Sequence, residues 1–251
     1  MRPFARFGLA LTLAAGTAAA GLGPARGESA PTPSTAQTVV LRTSDGVSLV
    51  ATLHPTSRTP APAVALVHMQ TRSRTDWSEL VERLVDAGIA ALAFDLRGHG
   101  ASASGSTGPG AAANMSPSLL DVKAAHAFLS TRTDVAPGRV AFVGASVGAN
   151  LALAAAAAEP AIRGVVLLSA GIDYRGIRGD AAIRKYGRRP ALIIASLDDP
   201  YATRSAREFA KLGEGAYELR LLNGAGHGTV MLGREPDLYA TIVDWLRRTL
   251  I

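Results

Sequence analysis

The feature that most constrains the fold is the segment Gly144-Ala145-Ser146-Val147-Gly148, which lies between two apolar runs. Residues 139–143 have the composition of a short buried strand, and the Ala- and Leu-rich run from Ala149 is typical of a helix. A turn this tight between strand and helix requires glycine two positions before and two positions after the serine. The pattern predicts an exposed hydroxyl at a helix N-terminus, where backbone N–H groups stabilise negative charge. The Ser146 hydroxyl is therefore a candidate nucleophile.

The composition favours a globular protein with one substantial core. The chain has 251 residues, of which 48% are hydrophobic and 18% are charged, and this predicts one folded domain. The net charge is +6, but the positive residues are scattered and form no basic stripe with interleaved aromatics, so we expect no nucleic-acid partner. The sequence contains no cysteine, which excludes disulfides and thiolate metal sites.

The N-terminus has the pattern of a secretory signal peptide. Arg2 and Arg6 precede an apolar, Ala- and Gly-rich stretch at 7–23. Ala18-Ala19-Ala20 fits a cleavage site with small residues at its first and third positions, and Ala25-Arg26-Gly27 is a second candidate. An uncleaved membrane anchor is the alternative, although the stretch is short and weakly hydrophobic for a span. We therefore expect a periplasmic or secreted protein with no stable membrane insertion after cleavage.

The domain organisation follows from this pattern. Residues 1–27 are predicted to be the signal peptide. Residues 28–37, rich in Pro, Ser and Thr, are predicted to be a disordered leader. The folded domain is expected to occupy residues 38–251.

Apolar periodicity predicts an opening hairpin followed by alternating strands and helices. The predicted strands are 38–42, 47–53, 63–68, 89–94, 139–143, 164–168, 191–195 and 217–222, and the predicted helices are 76–87, 118–131, one after Ser146, 202–212 and 237–250. This order indicates an α/β fold with a doubly wound, mostly parallel sheet, antiparallel N-terminal strands and helices on both faces. Ligands of such sheets bind at the carboxyl ends of the strands.

A serine nucleophile needs a base within hydrogen-bond reach and an acid that orients the base. His227 lies in a glycine-rich loop directly after the last predicted strand, where a base would reach the sheet edge. Asp198 and Asp199 both follow the strand 191–195, and either could be the acid.

Five segments, in this order, resemble the α/β-hydrolase superfamily over residues 38–250. They are His68-Met69, Asp95-Leu96-Arg97-Gly98-His99-Gly100-Ala101-Ser102, the segment around Ser146, Ser196-Leu197-Asp198-Asp199-Pro200 and Gly226-His227-Gly228. Within the superfamily the chain is similar to small serine esterases of the dienelactone-hydrolase type with a minimal lid. A typical dienelactone hydrolase uses a cysteine, which this chain lacks.

The resemblance implies a role for each candidate residue. It makes Ser146 the nucleophile, His227 the base and Asp199 the acid, with Asp198 as the alternative acid. It also implies that the backbone N–H groups of Gln70 and Val147 hold the oxyanion.

Two departures from the family pattern bear on the site. The oxyanion loop of the family usually has His-Gly-x, whereas here Met69 takes the glycine position. Methionine does not readily adopt a glycine-only conformation, so the sequence does not fix the path of this loop. Only residues 169–189 lie where many members insert a large lid, so we expect an open or thinly covered site.

These observations predict a serine hydrolase that cleaves carboxylic esters through an acyl-enzyme. The expected partner is a small-molecule ester substrate, and the chemistry needs no cofactor and no metal. A peptidase or amidase of the same fold is the first alternative, and a non-catalytic binding protein on a hydrolase scaffold is the second. The sequence carries no signal for a particular oligomeric state.

Overall fold

Strands and helices alternate along the chain as the apolar pattern predicts. The computed structural model describes residues 1, 35–102 and 114–251. In them the strands are β1 Gln37–Arg42, β2 Ser48–His54, β3 Ala61–Val67, β4 Ala90–Phe94, β5 Val135–Ala145, β6 Ile162–Leu168, β7 Asp173–Tyr174, β8 Ile177–Arg178, β9 Ala191–Ser196 and β10 Tyr217–Leu222. The helices are α1 Ser78–Asp86, α2 Leu119–Ser130, α3 Val147–Ala158, α4 Gly179–Tyr186, α5 Pro200–Leu212, α6 Val230–Arg234 and α7 Asp237–Leu250.

Apart from Met1, the described residues all lie in one compact unit within Thr32–Ile251. The predicted signal peptide after Met1 and most of the predicted leader lie outside the described residues. Strand β1 begins at Gln37, the last residue of the predicted leader. Of the helices in the described part of the chain, none is long and apolar enough to cross a membrane.

Eight strands form one sheet in the order β1-β2-β4-β3-β5-β6-β9-β10. Strand β2 pairs antiparallel with both β1 and β4, and every neighbouring pair from β4 to β10 is parallel. The predicted fold class, a mostly parallel sheet with antiparallel N-terminal strands, is confirmed. Parallel pairing brings the carboxyl ends of β3, β5, β6, β9 and β10 to one edge of the sheet, and the candidate residues follow these ends.

Both faces of the sheet are buried, which explains the unbroken apolar runs. All seven residues of β3 are buried. Ala63 and Ala65 belong to an apolar cluster that includes residues of α2 and α3, whereas Val64 and Leu66 belong to a second cluster with residues of α1 and α7. The helices therefore cover both faces, as in a doubly wound fold.

The sequence prediction omitted the shortest elements. Strands β7 and β8 form a separate antiparallel pair of two residues each, and α4 and α6 span only eight and five residues. Strands of two residues show no alternation, and helices of eight and five residues are shorter than the window of about 11 residues over which apolar periodicity is recognised. Three of these four, β7, β8 and α4, occupy the 169–189 stretch that we expected to be a minimal lid.

Candidate active site

Ser146 occupies the turn between β5 and α3 in a strained backbone conformation. Its φ is 54° and its ψ is −124°, a combination that a non-glycine residue rarely adopts and that costs free energy. The Ser146 N–H donates a 2.8 Å hydrogen bond to the carbonyl oxygen of Leu168 at the end of β6. This bond ties the strained turn to the neighbouring strand and leaves the serine half-buried at the sheet edge.

The two glycines of the turn are required by close backbone contacts. A Cβ on Gly144 would lie closer than 3.0 Å to the backbone of Gly148. A Cβ on Gly148 would lie equally close to the carbonyl oxygens of Val67 and His68. The N-terminus of α3 therefore packs directly against the end of β3, and the spacing of the motif follows from this packing.

His227 and Asp199 meet at the carboxyl ends of β9 and β10. The His227 Nδ1 lies 2.5 Å from Asp199 Oδ2, and the two side chains are 40% and 15% exposed. The other oxygen of Asp199 accepts a 3.1 Å hydrogen bond from the Ala202 N–H and caps α5. A carboxylate is an acceptor only, so His227 donates from Nδ1, and its Nε2 then carries the lone pair with which a base takes a proton.

Asp198, the alternative acid, points to different partners. Its carboxylate accepts a 3.2 Å hydrogen bond from the Gly226 N–H and a short one from the Ser196 hydroxyl. These bonds lower the pKa of the Asp198 carboxyl. Asp199 is the carboxylate that contacts the imidazole of His227, and Asp198 supports the loop that carries His227.

Two buried serines to which the sequence analysis gave no role in holding a loop also hold the His227 loop. The Ser169 hydroxyl accepts a 2.9 Å hydrogen bond from the Gly228 N–H, and the Ser196 hydroxyl accepts a 2.8 Å hydrogen bond from the Ala225 N–H. Both serines are fully buried. A serine at the end of a buried strand was the only available signal, and it is too common to be informative.

His68 fixes the predicted oxyanion loop. The imidazole is fully buried; its Nε2 accepts a 3.0 Å hydrogen bond from the Leu96 N–H, which leaves Nδ1 to donate to the Met69 carbonyl at 2.7 Å. Burial lowers the pKa of His68 to about 4, so the ring is neutral near pH 7. His68 thus has a structural role in joining the loop after β3 to the loop after β4.

Met69 fits the glycine position of the family pattern without a glycine conformation. Among the described residues with positive φ, the non-glycines are Thr71, Ser146, Ser169 and Arg175, so the positive φ of this loop falls at Thr71. The Met69 thioether packs against the His227 loop, where a Cβ on Gly228 would lie closer than 3.0 Å to its sulfur.

The predicted oxyanion donors are the backbone N–H groups of Gln70 and Val147. In the described part of the chain, neither N–H donates a hydrogen bond to another residue. Val147 is the first residue of α3, and the first N–H groups of a helix have no partner within the helix. Both groups can therefore donate to a ligand.

Tyr174 is a site residue that we did not predict from the sequence. Its ring lies 6.2 Å from the His227 ring, edge to face at 88°, and its hydroxyl interacts with the Ser146 side chain as a hydrogen-bond partner. Burial, with a further contribution from the Asp199 charge, raises the pKa of the Tyr174 phenol well above its usual value. The phenol thus stays protonated, and a tyrosine in the short lid stretch was the only sequence signal for it.

The site as a whole brings Asp199 and His227 into direct contact and places Tyr174 against both His227 and Ser146. Among the hydrogen bonds of the described residues, none joins the Ser146 hydroxyl to the His227 ring. Catalytic hydrogen bonds of free enzymes are often long and tighten when substrate binds. Within the same residues there is no group of three His, Cys, Asp or Glu side chains that could hold a metal ion.

Comparison with known sequences relates the chain to hydrolases. The family model described as "Serine aminopeptidase, S33" matches residues 58–185. Two relatives from Mycobacterium tuberculosis, the strains CDC 1551 and H37Rv, are uncharacterised proteins that are 35% identical over 123 residues. The match covers 49% of this chain and 41% of each relative, so the chain spans about two fifths of the length of these relatives.

Solved structures show the same fold at low sequence identity. The dienelactone hydrolase of Anabaena variabilis superposes with a TM-score of 0.71 and 19% identity, covering 88% of this chain and 100% of that one. The Pyrococcus furiosus esterase Pf2001 gives a TM-score of 0.70 and 19% identity over 86% of this chain and 92% of the esterase. The esterase domain of a Rhodothermus marinus protein gives a TM-score of 0.67 and 19% identity over 87% of this chain and 100% of that domain.

Proposed function

Because the chain belongs to the serine aminopeptidase S33 family of α/β-hydrolases, we propose that it hydrolyses carboxylic esters with Ser146 as nucleophile, His227 as base and Asp199 as acid. The observation that carries the proposal is the 2.5 Å contact between His227 Nδ1 and Asp199 Oδ2. This contact lies at the sheet edge where Ser146 stands in its strained turn. A hydrolase fold with these three residue types in that order suits acyl transfer.

In the proposed reaction, the Ser146 hydroxyl attacks the acyl carbon while His227 Nε2 takes its proton. Asp199 holds the imidazole in the tautomer with the proton on Nδ1 and stabilises the imidazolium that forms. His227 then gives the proton to the leaving alcohol. Water, activated by the same imidazole, releases the acid and restores Ser146.

The tetrahedral intermediate carries its negative charge on the former carbonyl oxygen. We assign the stabilisation of this oxyanion to the backbone N–H groups of Gln70 and Val147, which have no partner among the described residues. Removal of one such donor typically costs about 10²–10³ in kcat. The buried imidazole of His68 supports the arrangement because it holds the carbonyl of Met69, the residue before Gln70.

Peptide hydrolysis is the second candidate function, and the family description favours it. An amide requires protonation of a much poorer leaving group than an ester does, but it uses the same nucleophile and base. The structural neighbours include two esterases, but at this identity they bear on the fold alone.

A direct comparison of matched substrates tests the proposal. The purified protein is assayed with p-nitrophenyl acetate and p-nitrophenyl butyrate, and in parallel with alanine and leucine p-nitroanilides. We expect ester turnover that is lost in Ser146→Ala, and anilide turnover at least about a hundredfold lower in kcat/KM. Comparable or faster anilide cleavage would move the assignment to a peptidase, and no turnover of either class would favour a binding protein.

A further inference from the structure

The residues between β6 and α4, 169–178, form what we call the cap hairpin, with Tyr174 at the end of β7. Strands β3 and β6 are the two neighbours of β5 within the sheet, one on each side of it. The predicted oxyanion loop follows β3, and the cap hairpin follows β6. The two segments therefore follow strands on either side of β5, and the Tyr174 ring packs edge to face on His227.

The cap hairpin is anchored to the helix that begins at the nucleophile. Asn150 lies on α3, four residues after Ser146, and its side chain is fully buried. Its amide nitrogen donates to the carbonyl oxygens of Gly171 and Ile177 at 2.7 and 2.8 Å, and its oxygen accepts from the Gly171 N–H at 2.9 Å. A buried amide with three satisfied hydrogen bonds fixes the hairpin firmly relative to Ser146.

A second anchor comes from α5. The Tyr201 hydroxyl donates to the carbonyl oxygen of Asp173 at 2.7 Å and accepts from the Asp173 N–H at 2.9 Å. The Tyr201 ring packs edge to face on Tyr174, with centroids 5.4 Å apart. The residue next to Tyr174 is thus held at both its backbone groups, and the Tyr174 ring is held between two aromatic neighbours, Tyr201 and His227.

The position of the leaving group follows from the proposed reaction. In acylation the bond between Ser146 Oγ and the acyl carbon forms, the bond from that carbon to the leaving oxygen breaks, and this oxygen takes the proton from His227 Nε2. The leaving oxygen must therefore lie beside the His227 ring. Tyr174 contacts this ring and Ser146, and because its phenol keeps its proton it can donate a hydrogen bond to that oxygen.

We propose that the Tyr174 hydroxyl donates a hydrogen bond to the leaving-group oxygen during acylation, and so assists the departure of poor leaving groups. Tyr174 keeps its own proton throughout, and His227 remains the proton donor. This inference rests on the proposed function of Ser146 and His227. The hydrogen bond from Tyr174 suits the protein to esters of ordinary alcohols, because the leaving oxygen of these esters develops the most negative charge.

The experiment compares Tyr174→Phe with the wild type on a series of acetate esters: p-nitrophenyl, phenyl and ethyl. Removal of the hydroxyl is expected to lower kcat/KM about tenfold for ethyl acetate and less than about twofold for p-nitrophenyl acetate. The reason is that p-nitrophenolate leaves without help. Active sites are counted by titration with a fluorophosphonate, so that every rate refers to folded, reactive protein.

Tyr201→Phe is the matched control, because it removes a hydroxyl that anchors the same hairpin without contacting the reacting atoms. Its effect on kcat/KM should be the same for all three esters. An equal loss across the series in Tyr174→Phe, no loss at all, or the same leaving-group dependence in Tyr201→Phe would overturn the inference. These outcomes are distinct from a failure of the proposed function, which Ser146→Ala reports on its own.

Discussion

At the residue scale, the site depends on which of two adjacent carboxylates faces the imidazole. Asp199 has one oxygen on His227 and the other on the N-terminus of α5. Asp198 points outward, 42% exposed, and supports the loop through the Gly226 N–H. Sequence reasoning could name both residues as candidates, but their contacts depend on the turn before α5, which the pattern does not resolve.

The exchange of Asp199 for Asn tests this assignment. The amide can donate to the imidazole and favour the wrong tautomer, so kcat/KM for p-nitrophenyl acetate should fall by about 10³–10⁴. Asparagine also caps helices, so the midpoint of thermal unfolding should change little. Asp198→Asn, the neighbouring control, should retain activity within about threefold. A larger loss in Asp198→Asn than in Asp199→Asn would transfer the role of acid to Asp198.

At the element scale, the glycine spacing around Ser146 was sufficient to predict the turn between β5 and α3. The contacts of Gly148 with the carbonyls of Val67 and His68 give the physical reason. The cap hairpin could not be predicted in the same way. Its strands have two residues each, and its position depends on the buried side chain of Asn150, whose partners are 21 and 27 residues away.

Gly148→Ala tests the packing of α3 on β3. The added methyl group would overlap two backbone carbonyls that cannot easily move, so we expect a loss of about 2 kcal/mol or more in the free energy of unfolding. Ester turnover should also fall, because the overlap pushes the Gln70 loop away from Ser146. In α6, the methyl group of Gly233→Ala meets no atom within 4 Å. The free energy of unfolding of this variant should lie within about 0.5 kcal/mol of that of the wild type. Chemical denaturation and p-nitrophenyl acetate kinetics measure both effects, and a fully stable, active Gly148→Ala protein would contradict the account.

At the scale of the whole molecule, the order of apolar runs was enough to predict the doubly wound sheet, because strands buried on both faces differ clearly from amphipathic helices. The predicted bounds of β10 and α7 agree with the structure. The hydrogen bonds that join the loops at the ends of the strands could not be predicted from the sequence. His68 links the ends of β3 and β4 by bonds to Met69 and Leu96, and such long-range contacts leave no local pattern.

The buried imidazole of His68 makes the stability of the fold depend on pH. Its pKa is about 4 in the folded chain and near 6.5 when unfolded, so the unfolded chain binds a proton first as the pH falls. Wild-type stability should therefore decrease from pH 7 towards pH 4.5, with about 2 kcal/mol due to His68. In urea denaturation, the stability advantage of the wild type over His68→Gln should shrink by this amount between pH 7 and pH 4.5, and should stay constant from pH 7 to pH 9. An advantage that is unchanged at pH 4.5 would show that the folded imidazole accepts a proton freely.

The central claim is that Ser146 is a nucleophile activated by His227. The most direct measurement is the mass of the protein after reaction with a fluorophosphonate, followed by peptide mapping, for the wild type, Ser146→Ala and His227→Ala. We predict one adduct per wild-type chain on Ser146, none on Ser146→Ala, and labelling of His227→Ala slowed by about 10³-fold or more. An adduct on another residue, or labelling of Ser146→Ala at the wild-type rate, would contradict the claim.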